Sequence, residues 1–154
     1  MKLNEYFIMQ EFLCKKEYEK LMTLPEDMRL NAFFKLVDKR IINAILYIRK
    51  EIGLPVEVNT WHKGGDKQWR GHRTKDCEIG AELSMHRKTP CQAVDFNVLG
   101  MAIEDVRKFV IEHQKELYDL GIRRMESAKF SPTWIHLDTK FVKNYKDKIY
   151  VFRK

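Results

Sequence analysis

Glycine and proline are scarce in this 154-residue chain, at 7 and 4 residues, which excludes a collagen-like or low-complexity sequence. Cysteine is scarcer still. Cys14, Cys77 and Cys91 form an odd set with no CxxC pair, which argues against a disulfide framework and for synthesis in a reducing cytoplasm. No apolar run approaches the ~18–20 residues that cross a bilayer. The opening MKLNEYFIMQEF carries Glu5 and Glu11, where an export signal needs an uninterrupted apolar core, so a cytoplasmic product without a signal peptide is expected. Repeats, Ser/Gly linkers and low-complexity blocks are absent too. One domain spanning 1–154 is therefore expected, helical to about residue 54 and carrying its motifs from about 55 onward.

Charge is plentiful. Lys and Arg number 29 against 22 acidic residues, giving +7, while hydrophobic residues make up 44% of the chain. That composition belongs to a folded chain rather than a disordered one. A basic surface of this kind favours polyanions such as nucleic acid, anionic lipid or bacterial wall polymers. The excess is spread over Lys15-Lys16, Lys39-Arg40, Arg123-Arg124 and a Lys-rich C-terminus, so charge alone names no partner.

Hydrophobic spacing divides the chain into helices first and strands mostly later. Asn4 is placed to cap a short amphipathic helix running through Phe12-Leu13. Pro25, Glu26 and Asp27 make a first helical turn, and Phe33, Leu36, Val37, Ile41, Ala44, Ile45 and Ile48 recur at three and four as one buried face. Gly53 and Pro55 stop it. Val56, Val58 and Thr60 alternate as a short strand. An irregular stretch over 62–84 follows, of a length that is usually functional or disordered. Strand character resumes over 93–98, a helix is expected over 103–118, and short strands over 122–125, 133–138 and 149–152. The expected fold class is α+β, a small antiparallel sheet packed against helices.

The candidate chemistry lies with two of the five histidines. His113 belongs to a helix, whereas His86 leads into Asp95, and His136 sits in TWIHLDT. In a strand Trp134, His136 and Asp138 share one face while Ile135 and Leu137 take the other. Two imidazoles and a carboxylate suit a catalytic zinc that keeps its fourth position for water. The same residues also fit plainer roles: Asp95 capping a turn, and His136 a half-buried imidazole with one hydrogen bond.

Four segments occur in order: GHR (71–73), IGAELSMH (79–86), AVDFNV (93–98) and TWIHLDT (133–139). Together they resemble the motif series of the M15-type zinc peptidases, the D-alanyl-D-alanine carboxypeptidase and phage endolysin group, whose fold is shared with the Hedgehog signalling domain. The resemblance spans roughly residues 56–140. It implies a Hedgehog/DD-peptidase-like fold, Zn2+ as cofactor held by His86, Asp95 and His136, and peptidoglycan stem or cross-bridge peptides as substrate. It further implies Arg73 as the arginine that engages substrate, its planar fork suiting a carboxylate or peptide carbonyl. Ser84 matches a small polar residue two before the first ligand, a loop organiser on the substrate side of the site.

Three departures stand out. His86 and Asp95 lie nine positions apart, two more than the family's His-x6-Asp. Thr133 occupies the place, three before the last His ligand, where many members carry a general-base carboxylate. The segment 62–66 lengthens the route to Arg73. Asp138 is the expected substitute for the base, with orientation of a ligand imidazole as its alternative role; Glu126 is the next candidate. The resemblance thus implies a zinc peptidase acting on the cell wall, such as a phage-type lytic enzyme released by other means. A non-catalytic metal- or wall-binding protein on the same fold competes with it. A basic nucleic-acid-binding domain using Trp61, Trp69 and Arg70 ranks below both.

Overall fold

Ile41, Ala44, Ile45 and Ile48 are all fully buried, and the helix that carries them is the longest in the chain. The computed structural model describes residues 1–79 and 82–153; Gly80 and Ala81, inside the IGAELSMH segment, lie outside the described residues, as does Lys154. Helix α1 spans Lys15–Met22, α2 Glu26–Leu36 and α3 Lys39–Ile52. The apolar stripe expected to run unbroken from Phe33 to Ile48 is split at Val37. That residue is extended (φ −129°, ψ 126°) and bridges to Cys91. Asp38 then restarts the helix by accepting the Arg40 N–H at 2.9 Å, and Gly53, at φ 75°, ends it in a left-handed conformation open to glycine.

The N-terminal helix expected from Asn4 does not form. The Asn4 side chain instead accepts the N–H groups of Tyr6 and Phe7 at 2.9 and 3.0 Å, a local turn that competes with helix. Only a 3-10 turn, Met9–Glu11, follows. Its neighbours Phe7, Met9, Phe12 and Leu13 are nevertheless core residues.

Among the described residues five strands form one sheet: β1 (Val56–Glu57), β2 (Ala93–Val98), β3 (Arg124–Glu126), β4 (Ile135–Asp138) and β5 (Tyr150–Phe152). Their order is β1-β2-β4-β3-β5. The sheet is mixed rather than antiparallel throughout, because β5 lies parallel to β3. Between β2 and β3 run α4 (Ile103–Glu112) and α5 (Gln114–Asp119). They were expected as one helix, and the break falls at His113 (φ −105°, ψ 24°). The α4 helix lies against β2 and β4. Val94, Phe96, Ile135 and Leu137 fill that face of the sheet and are fully buried, which leaves the alternate residues to the other face. No helix among the described residues is long and apolar enough to cross a membrane.

Arg107 staples the β3–β4 connection to this framework. From α4 it donates to the carbonyls of Glu126 (2.9 Å), Trp134 (3.0 Å) and Ser131. The segment between the strands is thereby fixed at both ends.

Asp38 yields a pH-dependent expectation. Burial would raise its pKa, but the hydrogen bonds and charge of Arg40 outweigh burial and hold it below the ordinary value. A carboxylate whose folded pKa is depressed stabilises fully above its unfolded pKa and loses that contribution as pH falls through the folded one. Asp38→Ala is therefore expected to cost about 1 kcal/mol at pH 7. The gap from wild type, read by urea denaturation, should shrink below about pH 4.

Candidate metal centre

The non-helical face of the sheet carries a row of polar side chains set by strand register. Asp95 on β2 pairs with His136 on β4. Arg124 pairs with Asp138 and Met125 with Leu137, which puts Glu126 next in line opposite His136, and Glu126 in turn pairs with Phe152. One row thus reads Asp95, His136, Glu126, Phe152 across four strands. The row beside it reads Ala93, Asp138, Arg124, Tyr150.

His86 reaches this row from the loop. Ser84 caps a 3-10 turn, Met85–Arg87, its hydroxyl accepting the His86 N–H at 3.3 Å. The segment 70–73 threads between three partners. Asp95 N donates to Arg70 O (2.7 Å), His72 N to Phe12 O (2.8 Å) and Arg73 N to His86 O (3.0 Å). Glycine is required at 71, since a Cβ there would stand 2.2 Å from Phe12 O.

His86, Asp95 and His136 converge, and they are the one group of His, Cys, Asp or Glu among the described residues that can hold a metal ion. Asp95 Oδ1 lies 3.2 Å from His86 Nε2 and 2.7 Å from His136 Nδ1, and the two nitrogens are 3.3 Å apart. Tetrahedral ligands at 2.0–2.1 Å from an ion stand roughly 3.3 Å from one another, so the triangle is close to the required size. Residues 88–92 connect the 3-10 turn to β2.

Each of the three side chains has its other polar atom fixed from behind. His86 Nδ1–H donates to Gly71 O at 2.7 Å, which leaves Nε2 as a lone pair. Arg73 donates to Asp95 Oδ2 at 2.8 Å, leaving Oδ1 forward. His136 Nε2 stands 3.2 Å from Asp138 Oδ2, which leaves Nδ1 forward. A His136 Nδ1–H donating to Asp95 Oδ1 at 2.7 Å holds these two side chains together, and a cation among the three atoms would take that proton's place.

The charges agree with this picture. Burial would raise the Asp95 pKa, but the two imidazoles carry it far below the carboxylate range. Burial lowers that of His86 and so favours the neutral ligand form. For His136 burial acts downward too, yet the Asp138 and Asp95 hydrogen bonds push it up to about 9, the mark of a place built to hold positive charge. Cys91 stays outside the group: its thiol donates to Ala93 O at 3.2 Å, and burial pushes its pKa up to about 12.

Around the group lies a cavity of about 380 Å³, lined also by Arg73, Ser84, Arg124, Glu126 and Asp138 and walled by Ile79, Leu83, Trp134 and Phe152. Asp138, the expected proton acceptor, stands on the Nε2 side of His136, away from the ligand atoms. Its Oδ1 accepts from Arg124 Nε (2.8 Å) and Lys140 N (3.0 Å), and its Oδ2 from Arg124 Nη2 (2.6 Å). Arg73, expected to face substrate, divides its fork between Asp95 and the Trp69 carbonyl (2.6 Å). Thr133 is exposed. Trp61 and Arg70 are half-buried, Trp61 donating to the carbonyls of Gln10 and Leu13 and Arg70 to Asn97. Arg124 and Arg107 escaped the sequence reading. Arg124 alternates with Glu126 around buried Met125, and Arg107 interrupts the apolar stripe of α4; both were visible signals of a buried cation.

Comparison with family models, with curated proteins and with solved structures finds no match to this chain.

Arg73→Met removes the guanidinium facing a buried carboxylate. A broken buried pair costs 3–5 kcal/mol, and His86 and His136 still face Asp95, so a loss of roughly 3 kcal/mol is expected. Chemical denaturation measures it; an unchanged midpoint would mean that Arg73 does not hold Asp95.

Proposed function

We propose that this protein is a zinc-dependent peptidase of the M15 kind, acting on peptidoglycan stem or cross-bridge peptides. The observation that carries the reading is the His86–Asp95–His136 triangle, every member fixed from behind, opening on a cavity that also presents Glu126. Two imidazoles and one carboxylate form the donor set of a catalytic zinc with an open position. When bound there, zinc supplies Lewis-acid polarisation of a peptide carbonyl and acidification of a water. The ordered series of motifs supports the substrate class, and the basic surface suits an anionic wall.

The remaining roles follow from the chain's own groups. Asp138, with both oxygens committed to Arg124, is the orienter of His136 rather than the base. The Glu126 carboxylate, next to His136 in the row, receives the proton from the attacking water and returns it to the leaving amine. Arg73 holds Asp95 in its forward orientation, and its exposed edge lines the substrate side. The apolar walls keep bulk water away from a bound peptide, which strengthens the interactions inside.

A second reading, metal binding without catalysis, is favoured by Thr133 at the family's acid position. One experiment separates the two. Wild type is expected to carry about one zinc per chain by elemental analysis, and His86→Ala and His136→Ala to carry none. Glu126→Gln should keep its zinc while muropeptide cleavage falls ~10²–10⁴-fold. A zinc-loaded wild type that leaves muropeptides intact would refute the peptidase and leave the binding protein.

A further inference from the structure

His136 can offer Nδ1 to a metal as a neutral ligand only while its proton sits on Nε2, and what faces Nε2 is Asp138 at 3.2 Å. Asp138 is itself held by a planar fork: Arg124 donates through Nε to Oδ1 and through Nη2 to Oδ2, at 2.8 and 2.6 Å. The pair is inside the protein, with Asp138 fully buried and the Arg124 side chain 16% exposed. The guanidinium is held in turn from the next strand, its carbon 4.1 Å from the centre of the Phe152 ring. Strand register brings these groups together, since Arg124 lies opposite Asp138 on β4 and beside β5.

We infer that Arg124 is a positioning residue for metal capture: by gripping both oxygens of Asp138 it fixes the carboxylate that sets the tautomer and ring orientation of His136. Outer partners of ligating histidines commonly contribute 10–100-fold in metal affinity. The fork matters as well as the charge. Lysine offers one rotatable ammonium and cannot match both oxygens at once. This inference rests on the metal-site reading above.

The test titrates zinc against a competing chelator with the full chain in four forms: wild type, Arg124→Lys, Arg124→Gln, and Ile45→Val, which trims the core without touching the cavity. Nitrogen-15 spectra of the zinc-loaded imidazoles accompany it. Arg124→Gln is expected to weaken zinc ~10–100-fold, and Arg124→Lys to weaken it several-fold despite its conserved charge. Ile45→Val should leave affinity unchanged while lowering the melting temperature. In wild type the His136 Nε2 proton should resonate far downfield through its bond to Asp138, and that shift should diminish in both Arg124 variants. Should Arg124→Gln fail to fold, Arg124→Lys carries the comparison. Wild-type affinity and an unmoved Nε2 proton in Arg124→Lys would overturn the inference and leave the peptidase standing. Weakened zinc in the variants with no muropeptide cleavage by wild type would overturn only the peptidase. A wild type that takes up no zinc would overturn both.

Discussion

A carboxylate buried in the middle of a sheet is the constraint around which this molecule is arranged. Asp95 sits on β2, the second strand of five, with its side chain 8% exposed. Such a charge is tolerated only when paired and hydrogen-bonded. Three cationic or potentially cationic groups meet it: Arg73 from the loop, His86 from the 3-10 turn and His136 from β4. Much of the irregular stretch exists to deliver them. Phe12 O and Arg70 O anchor the loop, Gly71 allows the close approach, and the Gly71 carbonyl orients His86. A centre of this kind is costly to assemble for stability alone, which is why a buried cluster in a cavity points to a ligand.

His86, Asp95 and His136 were picked out by the ordered motif series, and the structure brings them into one group that could hold a metal ion. Alternation in TWIHLDT put His136 and Asp138 on one face, and all of the described order of segments kept His86 and Asp95 ahead of them. The apolar spacing of the α3 helix and its Gly53 stop were legible because both are local, whereas its start at Asp38 was not read. What stayed hidden depends on contacts across the sheet. The grip of Arg124 on Asp138 joins residues fourteen apart in sequence through the β3–β4 pairing, and Arg73's attachment to Asp95 joins residues twenty-two apart. Both arginines therefore read as surface or substrate-facing charges until the fold placed them. The parallel β5 escaped for a related reason, since strand direction is set by the path of residues 139–149 and not by the composition of Tyr150–Phe152.

These contacts underlie the roles proposed above. Asp138 is bound by Arg124, Lys140 and His136. Arg73 is bound to Asp95. Glu126 also lines the cavity, on a strand whose neighbouring connection Arg107 holds in place through four acceptors. Support from behind and exposure to the cavity are thus divided between different side chains, as the proposed reading requires.

The central claim is that His86 Nε2, Asp95 Oδ1 and His136 Nδ1 close on one metal ion. Anomalous scattering at the zinc edge from crystals of the zinc-loaded chain tests it most directly. A single peak within about 2.0–2.2 Å of all three atoms is the predicted result. Zinc found elsewhere, or a peak ligated through His136 Nε2 with Asp138 displaced, would contradict it.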